Sequence, residues 1–229
     1  MIIIAHRGAS LDAPENTIKA FESAYQQGAR VIECDIALSK DNVPLIIHDD
    51  SLERTTNGNG FVRDFFWSEL SGLDAGFGCK IPRLDEVIAW SKCRNLKVNY
   101  EIKAVSSDCV GITIDSILSC FDDFGLAIFS SFQLELLEQL RIKQPQVVLH
   151  ALSMECSDDL IYKAQRIACQ QINLSISSCS PYWIDKIHSM GMKVGVFTVN
   201  HSPLRDKLGE WRVDAIFTDN MQLLAQANN

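Results

Sequence analysis

Two histidines and two closely spaced carboxylates lie in or beside short apolar runs within the first 50 residues. His6, with Arg7 beside it, follows one run, and His48 ends another. Glu33 and Asp35 lie two positions apart in a third run. An imidazole titrates near pH 6.5, so a histidine pair can accept and donate protons near neutrality. Side chains two apart on a strand share a face, and paired carboxylates suit a hard divalent cation such as Mg²⁺ or Ca²⁺. These residues predict an enzyme.

A further carboxylate lies two residues before a lysine, later in the chain. Glu101 would complete a metal site, while Lys103 and Arg7 would bind an anionic oxygen. Each piece also has a structural interpretation: Glu33 and Asp35 could be solvated acids on an edge strand, and a single histidine at a strand end is more often structural. Two histidines beside three carboxylates reverse that preference, and we interpret them as one site.

Apolar runs and amphipathic stretches alternate along the chain. The runs predict strands at about 2–5, 31–38, 43–48, 97–102, 126–130, 146–151, 171–174, 193–198 and 213–217. Helices are predicted near 15–27, 84–94, 107–121, 133–143, 157–169, 181–190, 202–209 and 220–227. This alternation favours an α/β fold, a (β/α)8 TIM barrel. The four residues after the second run are too few for a parallel crossover, so the run at 43–48 is interpreted as a hairpin return that brings His48 to the level of Glu33.

Residues 50–83 differ in character from the rest of the chain. They contain Thr-Thr-Asn-Gly-Asn-Gly at 55–60 and several aromatic residues, a composition typical of loops and short turns. We expect a small insertion here, after the second barrel strand and over the barrel mouth. No linker or low-complexity tract interrupts the chain, so we expect one domain over residues 1–229.

Composition and charge exclude some classes of function. The chain has 229 residues and a formal charge of −8, and no basic stripe is present to neutralise nucleic-acid phosphates. Its eight cysteines are scattered without a C-x-x-C pair, which favours a reduced, cytoplasmic protein over a disulfide scaffold or zinc ribbon. No run approaches the ~20 apolar residues of a membrane span. We expect no nucleic-acid partner and no stable membrane association.

Together these segments resemble the glycerophosphodiester phosphodiesterase family, most closely its bacterial cytosolic members. The segments are H6-R-G-A-S with P14-E-N-T, E33-C-D35, H48-D-D-S-L-E-R-T-T-N-G58, E101-I-K103, S130-S-F132, F197-T-V-N200 and D214-A-I-F-T-D219-N220. The resemblance covers essentially the whole chain, and the combination is far more specific than any single piece.

The resemblance implies an eightfold barrel and hydrolysis of glycerophosphodiesters to sn-glycerol 3-phosphate and an alcohol. His6 and His48 would be the acid–base pair. By the same resemblance Glu33, Asp35 and Glu101 would hold the divalent ion, Mg²⁺ or Ca²⁺, and Arg7 and Lys103 would bind the phosphate. The chain departs from the family at Phe197, often Trp, and at Met221, often Pro; the first departure would alter packing around the glycerol or alcohol group.

Several alternatives stay open at this stage. A phosphodiesterase acting on lysophospholipids would use the insertion's aromatics, Phe61, Phe65, Phe66 and Trp67, as an apolar entrance, and a non-catalytic phosphodiester-binding barrel would keep the ligands without turnover. The working assignment has His48 as base and His6 as acid, with either water or the neighbouring glycerol hydroxyl as nucleophile. The alcohol head group, the choice between Mg²⁺ and Ca²⁺, and the choice between monomer and homodimer are not determined by sequence.

Overall fold

The chain folds into a closed barrel of eight parallel strands with helices outside it, in a computed structural model that describes residues 1–225. The strands are β1 (Ile2–Ala5), β2 (Val31–Leu38), β3 (Pro44–Ile46), β4 (Lys97–Ile102), β5 (Ala127–Ser131), β6 (Val148–Ser153), β7 (Gln171–Ser175), β8 (Lys193–Phe197) and β9 (Ala215–Thr218). The barrel closes because β1 pairs in parallel with both β9 and β2. The predicted (β/α)8 TIM barrel is confirmed.

Most helices are one to three turns long and lie on the outer surface of the barrel. They are α1 (Ile18–Gln26), α2 (Trp67–Leu70), α3 (Leu84–Lys92), α4 (Val110–Leu118), α5 (Leu134–Lys143), α6 (Asp158–Arg166), α7 (Pro181–Ser189), α8 (Ser202–Glu210) and α9 (Gln222–Ala225). Their buried apolar residues pack against the outward faces of the strands in one large core. Within the described residues, no helix is long and apolar enough to cross a membrane.

The ninth strand, β3, is the hairpin return expected from the short connection after β2. It pairs antiparallel with β2, with Ile46 opposite Ile36, and lies outside the closed ring. The N–H of Ile47 continues the pairing by donating to the carbonyl of Asp35 at 3.0 Å. This register brings the next residue, His48, back to the level of the β2 carboxylates, and the hairpin interpretation is confirmed.

Element boundaries differ from the prediction where turns and caps take over. Thr17 caps α1 by accepting a hydrogen bond from the N–H of Ala20, so this helix begins at Ile18 and not at 15. The helix predicted at 107–121 is shorter, because a 3₁₀ turn at Ser107–Cys109 precedes α4. Of the helix predicted at 220–227, residues 226 and 227 lie outside the described part of the chain.

The barrel interior combines an apolar cluster with buried polar pairs. Asn99 donates to the hydroxyl of Ser130 at 3.0 Å, and Gln171 donates to the Oδ1 of Asn173 at 2.7 Å. A Cβ atom at Gly195 would lie 2.1 Å from that same Oδ1, so glycine is required on β8 to leave room for the Asn173 side chain. The apolar cluster comprises Ile4, Val31, Ala215 and Phe217, with Ile128 and Phe197 packed against it.

The segment between β3 and α3 has a small apolar core of its own. Its buried members are Leu45, Ile47, Leu52, Val62, Leu70, Ala75 and Ile81, with Phe65 and Trp67 partly buried against them. Two isolated bridges, Leu45 with Arg83 and Ser51 with Phe61, tie the segment together. By contrast, Phe61 and Phe66 are exposed. Of the four aromatics considered above as an apolar entrance, two therefore belong to this local core.

One buried histidine inside the barrel predicts a pH-dependent stability. His150 on β6 is 6% exposed, and its Nδ1 has no hydrogen-bond partner among residues 1–225. Burial, reinforced by the charge of Lys193, lowers the pKa of His150 to about 3. An unfolded chain takes up this proton near pH 6.5, whereas the folded protein does not. The free energy of unfolding should therefore fall as pH drops from about 6.5 towards 3, by up to about 1.4 kcal/mol per pH unit from this group.

His150→Gln should remove this contribution. In urea unfolding at pH 7, 5.5 and 4.5, the wild-type protein should lose stability relative to the variant as pH falls. His201→Gln, which alters an exposed histidine at the start of α8, should follow the wild type. If the wild type and His150→Gln have parallel pH profiles, the neutral burial of His150 does not control acid stability.

Candidate active site

The turn after β1 directs Arg7 towards the carboxylates at the barrel mouth. Arg7 and Gly8 both adopt positive φ, 56° and 82°. A Cβ atom at Gly8 would lie 2.6 Å from the carbonyl carbon of Ala20, so only glycine fits beside α1. The turn lets the backbone N–H of Arg7 donate to Glu33 Oε2 at 2.9 Å, while its guanidinium bonds Glu15 Oε1 at 2.8 Å. The His-Arg-Gly sequence is thus a structural turn and a carboxylate-binding element.

Three carboxylates converge at the carboxyl ends of β2 and β4. Glu33 and Asp35 share the inward face of β2, and Asp35 is the register partner of Glu101 on β4. One oxygen from each lies within 4.8 Å of the others. Glu33 and Asp35 are only 2% and 1% exposed. The Nζ of Lys103 contacts Asp35 at 2.8 Å and Glu101 at 2.7 Å, which partly neutralises the cluster.

The charge balance of this cluster differs from one carboxylate to the next. Burial, together with the neighbouring Asp35, raises the pKa of Glu33 to about 8. Burial and the same neighbour also raise the pKa of Glu101. For Asp35 burial acts in the same direction, but the charges of Lys103 and Arg7 outweigh it and lower its pKa. The positive charge near these three acids does not offset their mutual repulsion, and a divalent cation bound between them would stabilise their ionised forms.

Asn16 positions Asp35 from the loop before α1. Its Nδ2 donates to Asp35 Oδ2 at 2.7 Å, and its Oδ1 accepts from the Asp35 backbone N–H at 3.3 Å. Asn16 adopts positive φ, 57°, and its own N–H donates to the carbonyl of Arg7. The Pro-Glu-Asn-Thr segment therefore fixes a carboxylate as well as starting a helix.

His6 is held by a carboxylate from the far end of the sequence. Its Nδ1 lies 2.7 Å from Asp219 Oδ1, and its Nε2 lies 4.0 Å from Glu33 Oε2. Burial alone would raise the pKa of Asp219, but hydrogen bonds from His6, Asn200 and Ser10 lower it to about 2. An ionised carboxylate only accepts hydrogen bonds, so Nδ1 of His6 carries a proton and Nε2 is left for proton transfer.

The ring of His48 is also held at Nδ1 by a carboxylate, here from the next residue in the sequence, Asp49. Its Nδ1 lies 2.5 Å from Asp49 Oδ1. Arg54 of the inserted segment bonds Asp49 through Nε and Nη2, and it bonds both oxygens of Glu15 at 2.7 and 2.8 Å. Since Glu15 also bonds Arg7, a continuous series of ion pairs links the two histidine-bearing loops.

These side chains surround a cavity of about 210 Å³ at the barrel mouth. Six of the eight predicted site residues line it: His6, Arg7, Glu33, His48, Glu101 and Phe197. Asp35 and Lys103 do not line it, and they join the site through the carboxylate cluster. The apolar part of the wall includes Phe132, whose ring packs edge-on against Phe197 with centroids 5.9 Å apart.

Sequence reasoning missed the residues that orient the site. Asp219 and Asn200 belong to segments recognised above, yet no role was predicted for them, and Asn200 donates to Asp219 Oδ2 at 2.7 Å. Asp49 and Arg54 fall within the segment that begins at His48. The one feature of the sequence that could have indicated a role for Asp49 and Arg54 was that they are charged and lie close to a predicted catalytic histidine.

Comparison with known proteins agrees with this geometry. The model of the glycerophosphoryl diester phosphodiesterase family matches residues 6–223. YhdW of Bacillus subtilis is 36% identical, and the match covers 96% of this chain and 94% of YhdW. A glycerophosphodiester phosphodiesterase of Caldanaerobacter subterraneus is 31% identical, and that match covers 97% of this chain and 96% of the relative. An Oleispira antarctica phosphodiesterase structure, in complex with the product sn-glycerol-3-phosphate, superposes with a TM-score of 0.95 at 29% identity, covering 100% of this chain and 97% of that one.

The fold, the site and these matches define a phosphoric diester hydrolase built on a (β/α)8 barrel. The chain belongs to the glycerophosphoryl diester phosphodiesterase family. The family resemblance inferred from the sequence motifs is confirmed.

Proposed function

We propose that this enzyme hydrolyses glycerophosphodiesters to sn-glycerol 3-phosphate and an alcohol, using two histidines and a divalent cation. The observation that carries the proposal is the convergence of Glu33, Asp35 and Glu101 within 4.8 Å beside a cavity that both His6 and His48 line. We further propose a single domain over residues 1–229, in which the segment at 50–83 contributes Arg54 to the support of His48.

The carboxylate cluster fits a divalent cation on structural grounds. Glu33 Oε1 is buried and has no hydrogen-bond partner within the described residues, although the other oxygen of this carboxyl accepts from the backbone N–H of Arg7. Three oxygen donors at this separation suit Mg²⁺ or Ca²⁺, and nothing in the donor set selects between them. When bound, the cation supplies Lewis-acid stabilisation of charge on a phosphate oxygen. In this proposal Glu33, Asp35 and Glu101 hold it.

The histidines carry the proton transfers. The oxygen of the attacking hydroxyl forms a bond to phosphorus, and the bond between phosphorus and the alcohol oxygen breaks. We assign Nε2 of His48 as the base that takes the proton of the attacking hydroxyl, and Nε2 of His6 as the acid that protonates the departing alkoxide. Asp49 and Asp219 are positioning residues, since each holds Nδ1 of one ring.

Arg7 and Lys103 supply positive charge for the phosphate. Arg7 lines the cavity, and its guanidinium is a planar set of donors that matches phosphate oxygens. Lys103 contacts Asp35 and Glu101, so its charge also lowers the repulsion within the cluster. Phe197, with Phe132, provides an apolar wall for the carbon atoms of the glycerol or alcohol group.

Two nucleophiles are compatible with this site, water and the neighbouring glycerol hydroxyl. Attack by the hydroxyl gives a cyclic phosphate that water then opens, and it requires that hydroxyl in the substrate. Cleavage of a diester lacking it at an undiminished rate would exclude the cyclic route.

Exposed apolar side chains at the cavity favour lysophospholipids as a second candidate substrate class. Met154 and Phe132 line the cavity and are 57% and 44% exposed. Such a surface would accommodate an acyl chain near the mouth. A non-catalytic phosphodiester-binding barrel is a weaker alternative, because both histidines line the cavity with their orienting carboxylates in place.

We propose a cytoplasmic location, supported by eight cysteines that form no disulfide.

Release of sn-glycerol 3-phosphate from glycerophosphocholine tests the proposed function. The purified protein is stripped of metal with a chelator and assayed alone, with Mg²⁺ and with Ca²⁺. We expect release only after a divalent cation is restored. Equal release by the stripped protein would contradict the metal requirement. Cleavage of lysophosphatidylcholine without cleavage of any glycerophosphodiester would replace the proposed substrate class with the second candidate.

A further inference from the structure

A second cavity lies at the opposite end of the barrel from the active site, where the strands begin. Its volume is about 540 Å³, within the range of small-molecule sites. Much of its wall is aliphatic, formed by Ile2, Ile4, Val31, Ile128, Val148 and Met192. Among the residues that the structure describes, no aspartate or glutamate lines it, although the chain as a whole carries a formal charge of −8. The cavity therefore differs in charge from the rest of the protein.

One wall of this cavity is a polar row across three neighbouring strands. His150 on β6 is the register partner of Gln171 on β7, which is the register partner of Lys193 on β8. All three side chains line the cavity. Adjacent strands are about 4.8 Å apart, so an ammonium, an amide and an imidazole lie side by side. A single anionic group could contact more than one of them.

The row includes a buried polar atom whose hydrogen-bonding capacity is not used. His150 and Gln171 are 6% and 4% exposed, and Nδ1 of His150 has no hydrogen-bond partner in the described part of the chain. Buried polar atoms are nearly always hydrogen-bonded, so the unpaired Nδ1, in a residue that lines the cavity, leaves a capacity that a polar ligand group could use if the ring turned towards it. Gln171 already donates to Asn173, which fixes its amide at the cavity wall.

Two lysines supply unpaired positive charge. Lys193 and Lys97 begin β8 and β4, which three strands separate in the barrel. Over residues 1–225, neither has a carboxylate oxygen within 4.0 Å, whereas Lys103 at the active site has two. The rim beside them exposes Ile2 and Met190, which are 50% and 37% accessible. Positive charge next to exposed aliphatic surface suits a ligand with one anionic end and one apolar end.

We propose that this cavity binds an amphiphilic anion, with its head group against Lys193, Gln171 and His150 and its aliphatic chain against Ile2, Ile4 and Val148. The head is a carboxylate or a phosphate monoester, because a lysine ammonium binds either as a point charge. An uncharged aliphatic ligand would leave the lysines without partners, and a cationic one would be repelled by them. The site is separate from the proposed catalytic chemistry and does not rest on it.

Isothermal titration calorimetry with ten-carbon probes below their micelle concentrations tests the proposal. Decanoate and decyl phosphate are compared with decanol and decyltrimethylammonium, on the full chain. We expect one of the anions, or both, to bind with a stoichiometry of one per chain. Decanol and decyltrimethylammonium should each have a Kd at least about tenfold higher. Whichever anion binds more tightly identifies the head group.

Two single substitutions separate this cavity from the rest of the surface. Lys193→Gln should weaken binding of the anion by about tenfold or more, the scale of a lost charge-assisted hydrogen bond. Lys40→Gln removes the same charge from an exposed lysine beyond the carboxyl end of β2, at the other end of the barrel, and should change the Kd less than twofold. The proposal would be overturned if neither anion binds, if decanol binds as tightly as the tighter of the two anions, or if Lys193→Gln leaves the Kd of that anion unchanged.

Discussion

Replacement of His48 by alanine should lower kcat for glycerophosphocholine by about 10²- to 10⁴-fold, the usual contribution of a positioned acid or base. The side chain of His48 is one-third exposed, and among the described residues its ion pair is with Asp49 and not with the three carboxylates of the cluster. Its removal should therefore leave the binding of Mg²⁺ or Ca²⁺ and the Tm nearly unchanged. Steady-state kinetics, with the metal-dependent shift in Tm measured in parallel, would separate a loss of proton transfer from a loss of the metal.

His188→Ala is the matched control for this substitution. His188 also bonds a carboxylate, Asp214, at 2.8 Å, and its side chain is 28% exposed against 33% for His48. It lies on α7, away from the cavity at the barrel mouth. The control should keep wild-type kcat. Retention of more than about a tenth of kcat by His48→Ala, against the 10²-fold minimum expected, would remove His48 from the proposed chemistry.

Glu33→Gln should change the metal-free and metal-bound proteins in opposite directions. Glu33 is a buried carboxyl beside two other acids, so its neutral isostere relieves repulsion and desolvation. The pKa of Glu33 is raised to about 8, whereas an unfolded glutamate titrates at about pH 4.3, so at pH 7 folding forces this carboxyl to keep a proton that the unfolded chain releases. Glutamine avoids this cost, and the metal-free protein should gain on the order of 1–4 kcal/mol in free energy of unfolding. The variant should lose the stabilisation that a divalent cation gives the wild type, about 2.7 kcal/mol at 100 times the Kd. Hydrolysis should be lost with it.

Thermal unfolding in chelator and in excess Mg²⁺ or Ca²⁺ measures both effects at once. Glu15→Gln is the comparison variant, because Glu15 bonds Arg7 and Arg54 outside the carboxylate cluster. It should lower the metal-free Tm and keep the metal-dependent increase. If Glu33→Gln shows the same increase as the wild type, Glu33 is not a ligand of the cation.

Local rules predicted the residues whose placement follows from strand geometry. The two-residue spacing of Glu33 and Asp35 was enough to place them on one face of β2, since side chains alternate along a strand. The same rule placed Glu101 inward on β4. The short connection before β3 required an antiparallel return, and the register of that return determines the level of His48.

The supporting contacts were not predictable, because they join distant parts of the chain. Asp219 lies 213 residues from His6 in sequence, and only closure of the barrel through β1 and β9 brings them together. Asn16 reaches Asp35 because the loop backbone adopts positive φ, which the sequence did not indicate. Lys103, predicted to bind the phosphate, also contacts two carboxylates, and these contacts depend on side-chain electrostatics in a buried cluster.

The contact between His6 and Asp219 has a consequence for the enzyme during its own synthesis. At translation rates of about 5–20 residues per second, roughly 10–40 s pass between the emergence of one residue and that of the other. Until β9 has been made, β1 lacks a neighbour on one side, and the imidazole has no carboxylate to hold its ring. A nascent chain on the ribosome would thus carry His6, one of the two proposed catalytic histidines, early, but the ring would be held in place only once Asp219 has been made. Ribosome-stalled chains ending before residue 219 should be inactive.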